Sequence, residues 1–221
     1  MSIRQALLHD PAAERDACGI GFVADARGRA TRAIVDALLE GLCGVRHRGA
    51  TAADSKTSDG AGVLLPIPAA LVPDPSCGVA MAFLRDERGR DAIEAACRAE
   101  GMEPAGWRRV PVDPDALGPA ARASAPCIEQ LALRPPPELD GDELELRAYR
   151  ARRRAERARG AYLASLSFRT VTYKALCAAD QLAAFYADLR DPGLAVPFGI
   201  FHQRFSTNTA PSWERAQPFR L

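Results

Sequence analysis

Asp16-Ala17-Cys18-Gly19-Ile20-Gly21-Phe22-Val23-Ala24 is the point at which a polar leader gives way to an apolar run, and that run opens on a cysteine. Cys18 therefore stands at the first residue of a buried strand. Two readings of it stay open on this stretch alone. A free cysteine most often behaves as a small core hydrophobe. Alternatively, loss of residues 1–17 would place an α-amine, with a reference pKa of about 7.7 to 8.0, on the same residue as a thiol of about 8.5. Base and nucleophile would then share one residue.

Gly19-Ile20-Gly21-Phe22-Val23-Ala24 also fits the loose dinucleotide pattern G-x-G-x-x-A, with Glu40 downstream as a ribose ligand. The context argues against it. That fingerprint needs a strand before the glycines and a helix opening on them, whereas the residues before Gly19 are polar and those after it read as strand.

The chain has 221 residues, 48% hydrophobic and 26% charged, enough for one sizeable core. A formal net charge of +1 gives no electrostatic reason to expect nucleic acid or an anionic membrane as a partner. No run approaches the roughly 18 apolar residues of a membrane helix, and the leader offers only Ala6-Leu7-Leu8 as a signal core. The expectation is a cytoplasmic protein. The cysteines at 18, 43, 77, 97, 127 and 177 include no C-x-x-C pair, so no metal site is expected.

Along the chain, residues 1–17 read as a removable leader and a strand is expected over about 18–24. Asp25-Ala26-Arg27-Gly28 signals a turn, and Ile34, Val35, Leu38, Leu39, Leu42 and Val45 form the stripe of an amphipathic helix. A polar, glycine-rich loop runs from Arg46 to Gly62 and leads into the strand Val63-Leu64-Leu65-Pro66-Ile67. Further strands are expected at 79–84, 107–112 and 128–133, one or two over 163–174, and a last one at 197–205. Helices are expected at 91–100, 142–159 and 177–189. The 142–159 helix carries seven arginines, but Asp142, Glu143, Glu145 and Glu156 are interleaved with them, which suits a solvated face better than a nucleic-acid stripe.

The last strand is apolar until it turns abruptly polar, in Phe198-Gly199-Ile200-Phe201-His202-Gln203-Arg204-Phe205-Ser206-Thr207-Asn208-Thr209. Arg204 is either half of a structural ion pair or a planar fork for a substrate carboxylate.

Three separated segments together resemble the type 2 glutamine amidotransferase domain that begins the large subunit of glutamate synthase. They are Glu14 to Phe22; His47-Arg48-Gly49-Ala50 with Asp59-Gly60-Ala61-Gly62; and His202 to Thr209. Arg169-Thr170-Val171-Thr172-Tyr173-Lys174 and Ala179-Asp180-Gln181-Leu182 are similar to that family as well. The resemblance implies an α+β fold, the four-layer αββα sandwich of the N-terminal nucleophile hydrolases. It implies that residues 1–17 are a propeptide-like leader and that 18–221 form the N-terminal part of the amidotransferase domain. Cys18 would be the catalytic nucleophile on L-glutamine, releasing ammonia. Arg204 would bind the glutamine α-carboxylate, Thr207 and Asn208 would line its pocket, and Arg48, Gly49 and Asp59 would support the site.

In that family the ammonia converts 2-oxoglutarate to glutamate in further domains that hold FMN and an iron–sulfur cluster, with electrons from a small subunit. The family's oxyanion donors, an asparagine–glycine pair, and the acid for the substrate amino group fall past residue 221. The fold is therefore expected to be incomplete at its C-terminus, with the faces of the helices at 31–45 and 177–189 partly uncovered. The alternative is a catalytically inactive fragment or interaction module lacking the oxyanion hole.

Overall fold

The computed structural model describes residues 17–50, 52, 54, 56–157, 160–206 and 209–218. All but the last residue of the expected leader lies outside them.

The buried strand expected to open on Cys18 forms instead one residue later, as β1 (Gly19–Ala24), with only one face covered and Ile20 and Phe22 exposed. A turn closed by Asp25, whose carboxylate accepts from the Arg27 N–H at 2.8 Å, leads into helix α1 (Arg32–Gly44). Val35, Leu38 and Leu42 of α1 are fully buried, as their spacing requires. Strand β2 (Ala61–Pro66) follows the polar loop. Much later in the chain come β7 (Thr170–Ala175) and β8 (Phe198–Gln203). These four strands make one antiparallel sheet in the order β1-β8-β2-β7.

Helix α1 lies on this sheet where glycines leave room for it. A methyl on Gly41 would come 2.7 Å from the Phe201 ring, and one on Gly199 would come 2.8 Å from Leu38. The glycines in β1 that imitate a dinucleotide fingerprint are thus contact points for Phe201 and for the Val45 to Arg48 turn. They sit inside a strand that no helix follows directly, which removes the dinucleotide reading.

Between β2 and β7 the chain builds a second unit: β3 (Gly78–Leu84), α2 (Arg88–Ala99), β4 (Glu103–Arg109), α3 (Pro119–Ala123), β5 (Cys127–Arg134), α4 (Gly141–Ala155) and β6 (Ala161–Ser167). Its strands pair antiparallel in the order β4-β5-β3-β6, and α2 and α4 cover one face. Leaving aside the short α3, this is the split β-α-β-β-α-β arrangement. The face under the helices buries Ala80, Ala82, Leu131, Leu133 and Leu163. The opposite face, with Val79, Met81, Phe83 and Ile128, shares a core with Val63, Leu65, Val171 and Tyr173 of the first sheet. Two antiparallel sheets and their helices give an α+β architecture consistent with the αββα expectation.

Charge along α4 follows the helix dipole. Asp142 and Glu143 occupy its first turn and Arg152, Arg153 and Arg154 its last. Arg147 and Arg154 reach the carboxylate of Glu100, at 3.8 and 3.2 Å, so part of the arginine set is internal scaffolding.

Two expectations are corrected here. Residues 177–189 do not form one helix: a 3₁₀ turn at Ala179–Gln181, the short α5 (Leu182–Phe185) and a second 3₁₀ turn at Ala187–Arg190 replace it. Tyr186 breaks the run because it is extended, bridges to Val112 and donates its hydroxyl to the Lys174 carbonyl at 2.7 Å. The helix faces expected to be uncovered are instead closed, with Leu38, Leu42, Leu182 and Leu189 at 0% exposure. Exposed apolar side chains stand on the opposite face of the first sheet, where Ile20, Phe22 and Phe198 are 63%, 76% and 41% exposed.

The close contact between α1 and β8 can be tested within α1 itself. Alanine gains helix propensity over glycine at both Gly41 and Gly44, but only Gly44 has open space beyond its Cα. Gly44→Ala should change stability by no more than about 0.5 to 1 kcal/mol. Gly41→Ala should cost about 1 to 3 kcal/mol through overpacking against Phe201. Chemical denaturation midpoints of the two variants check this.

Candidate active site

Antiparallel pairing of β8 with both β1 and β2 brings three distant segments to one end of the first sheet. Gln203, at the end of β8, stands opposite Gly19 of β1 on one side and Ala61 of β2 on the other. Cys18, the Asp59 to Gly62 turn and Arg204 therefore meet there, although 187 residues separate Cys18 from Phe205.

The half-buried Cys18 thiol sits on the Phe205 peptide. The Phe205 N–H donates to Sγ at 3.3 Å, and Sγ approaches the Phe205 carbonyl at 3.8 Å. Gly19 packs closely against Val45 and Arg48, which sets the Arg46–Arg48 turn beside the cysteine. Gly49 abuts the side-chain amide of Gln203 so tightly that no Cβ fits. Arg48 thus lies against Gly19, the residue after Cys18, and Gly49 against Gln203, which pairs with Gly19.

Arg204 is 5% exposed. Its main-chain N–H donates to the Gly60 carbonyl at 2.8 Å, and its guanidinium donates to the Asp59 carbonyl at 3.2 Å and to Thr209 Oγ1 at 2.7 Å. No carboxylate among the described residues pairs with it. Among the described residues this side chain is held by neutral oxygens and not by an ion pair. A buried cation with only neutral oxygens around it is costly unless an anion completes its surroundings.

Asp59 is also buried, but it serves the loop: its carboxylate accepts from the Ser206 N–H at 2.6 Å. Gly60 turns the chain beneath Arg204 with φ of +121°, a conformation open to glycine, and a methyl there would lie 2.6 Å from the Ala216 side chain. Its carbonyl also accepts from Gln203 Nε2 at 3.2 Å. Thr207 and Asn208, expected to line the pocket, lie outside the described residues. The sequence reading missed Thr209 as a guanidinium partner and the Phe205 peptide as the seat of the thiol. The hydroxyl at 209 lay in the quoted motif, whereas a main-chain contact leaves no side-chain signal.

Among the described residues no group of three or more His, Cys, Asp or Glu is placed to hold a metal ion. No helix among them is long and apolar enough to cross a membrane.

Comparison with known proteins gives a family match over residues 18–221, to the class-II glutamine amidotransferases. The chain is 40% identical over 94% of its length to a ferredoxin-dependent glutamate synthase 2 of a Synechocystis strain. It is 38% and 39% identical, over 96% of its length in each case, to the NADPH glutamate synthase large chains of Azospirillum brasilense and Bacillus subtilis. It spans only 15% to 16% of the length of these relatives.

One further side chain reports on the electrostatics of the site. His202 is 7% exposed, its Nε2 has no partner among the described residues, and burial, then the Arg204 charge, pushes its pKa down to about 4. The unfolded chain takes up a proton on this histidine before the folded one does, so folding weakens as pH falls from about 6.5 to about 4. His202→Gln should lose that part of the acid sensitivity, and stability measured at pH 7 and pH 4.5 in both proteins checks it.

Proposed function

Because the chain belongs to the class-II glutamine amidotransferases, we propose that it is the glutamine-hydrolysing part of a glutamate synthase, with Cys18 as the nucleophile. The observation that carries this reading is the pairing of the Cys18 thiol with the peptide directly after Arg204, a buried guanidinium with no carboxylate partner among the described residues. The thiol supplies a nucleophile. The guanidinium supplies a place for the α-carboxylate of an amino acid.

In the proposed reaction, cleavage before Cys18 frees its α-amine, which takes the thiol proton. The thiolate attacks the side-chain carbonyl carbon of glutamine, the C–N bond breaks, and the proton held by the amine goes to the leaving nitrogen, so ammonia departs from a glutamyl thioester. Water then adds to the thioester with the amine as base, releasing glutamate and restoring the thiol. Arg204 orients the substrate through a charge-assisted contact to its α-carboxylate. Thr207 and Asn208 complete the pocket in this proposal. Arg48, Gly49 and Asp59 act only by fixing the loops.

The rest of a glutamate synthase would lie outside these residues. We propose that the ammonia serves glutamate formation from 2-oxoglutarate in domains carrying FMN and an iron–sulfur cluster, fed by an electron-donating subunit or ferredoxin. The names of the relatives given above include both NADPH and ferredoxin as donors.

Three measurements on the complete protein test the reading. Intact mass of the mature form should place its N-terminus at Cys18; a fully active protein that keeps residues 1–17 would contradict the amine as base. Cys18→Ala should abolish release of ammonia from glutamine. Arg204→Lys should fold normally and lower kcat/KM for glutamine roughly ten- to a hundred-fold, the worth of about 1.5 to 3 kcal/mol in a charge-assisted two-point contact. Wild-type kinetics in Arg204→Lys would remove the carboxylate clamp from the proposal.

A further inference from the structure

The stretch Arg169 to Lys174 contributed to the family resemblance, yet the proposed chemistry makes no use of it. Lys174 lies in β7 with 0% exposure. Its Nζ donates to the Tyr162 hydroxyl at 2.9 Å, to the Glu214 carbonyl at 2.8 Å and to the Ala216 carbonyl at 2.8 Å, and stands 4.9 Å from the centroid of the Tyr162 ring. The Tyr162 hydroxyl donates to the same Glu214 carbonyl at 2.8 Å. The Glu214 carboxylate turns away to Arg85, at 2.6 Å. Among the described residues the lysine thus has no carboxylate within ion-pair distance and is spent on main-chain oxygens.

Those oxygens belong to a strap, residues 209–218, in which no described residue is helix or strand, so no backbone ladder holds it. The strap crosses the turn under Arg204. Gly60 has no room for a Cβ because Ala216 lies on it, and Gly62 has none because the Gln217 carbonyl does. The head of the strap supplies Thr209 to the Arg204 guanidinium, and the turn supplies the Gly60 carbonyl to the Arg204 N–H. A path of contacts therefore runs from Nζ of Lys174 to both sides of Arg204.

We propose that Lys174 is a positioning residue for the Arg204 site, clamping the Glu214 and Ala216 carbonyls so that the strap holds Gly60 in place at the Arg204 main chain and Thr209 in place at its guanidinium. Its kinetic consequence rests on the glutamine reading above; its structural consequence does not. The clamp also has a pH signature. Burial pushes Lys174 from 10.5 down to about 7; of the charges that act on it, Glu214 and Glu156 oppose that fall and Arg204 adds to it. Release of the strap would return the amine to water and to its ordinary value, so docking sheds a proton. The strap is therefore held more firmly as pH rises from about 7 toward about 10.

The test compares wild type, Lys174→Met and Tyr162→Phe in the complete protein, by amide exchange over residues 213–218 and by glutamine kinetics. In Lys174→Met the strap should exchange roughly ten-fold faster, and KM for glutamine should rise roughly ten-fold while kcat stays within about three-fold, the loss expected for a loosened charge-assisted contact. Wild-type protection of the strap, corrected for intrinsic exchange, should grow between pH 7 and pH 9, and that of Lys174→Met should not. Tyr162→Phe should shift exchange and KM in the same direction by less, and it decides the matter if Lys174→Met does not fold. Wild-type strap protection in the variants, or a loosened strap with unchanged KM, would overturn the proposal. If wild type shows no Cys18-dependent glutamine hydrolysis, the glutaminase reading falls, and the exchange arm still decides whether Lys174 is a clamp.

Discussion

The site is organised around a positive charge that the described residues bury without neutralising. Removing a guanidinium from water is expensive, and neutral oxygens recover only part of that expense. Among the described residues the Arg204 guanidinium has only such oxygens, the Asp59 carbonyl and the Thr209 hydroxyl. Its field extends to its neighbours: it helps to push His202 down to about 4 and Lys174 down to about 7, although burial is the larger cause for both. Such a place favours an anionic ligand. A carboxylate arriving there would relieve a cost that the fold already carries.

That arrangement depends on topology more than on any single contact. β8 runs between β1 and β2, so the polar end of one strand lies against the beginnings of two others. Close approach by α1, which needs the glycines at 41 and 199, together with Gly21, on which the Phe201 ring is seated, keeps Phe201 fixed and with it the register of β8. The split β-α-β-β-α-β unit enters between β2 and β7, away from the end that carries Cys18. Large insertions can be tolerated where they leave the site's own strands in register.

Much of this was legible in the sequence, for identifiable reasons. Helix α1 announced itself through a stripe of Val35, Leu38 and Leu42, and β8 through an apolar run that ends abruptly in polar residues. Cys18 and Arg204 came from the motifs, and their meeting needed the structure, because strand order is not written in local periodicity. The region 177–189 misled because its apolar spacing fits a helix, while Tyr186 finds better partners in an extended conformation, bridged to Val112 and bonded to the Lys174 carbonyl. The expectation of uncovered helix faces failed for a related reason: each helix had a face of sheet or neighbouring turn to bury against, and the apolar residues left exposed were those of β1 and β8. Contacts made by backbone atoms, such as the Phe205 peptide at the thiol and the strap carbonyls at Lys174, leave no trace in residue identity.

The central claim is that the thiol at residue 18 and the buried charge at residue 204 form one amino-acid site. Covalent trapping addresses it most directly: the complete protein is incubated with a glutamine analogue whose side-chain amide is replaced by a diazoketone, and the modified residue is located by peptide mass spectrometry. The account predicts one adduct per chain, on Cys18, slowed by excess glutamine and by Arg204→Lys. An adduct on the exposed Cys43 or Cys127 instead, or labelling of Cys18 that is indifferent to glutamine and to Arg204, would contradict it.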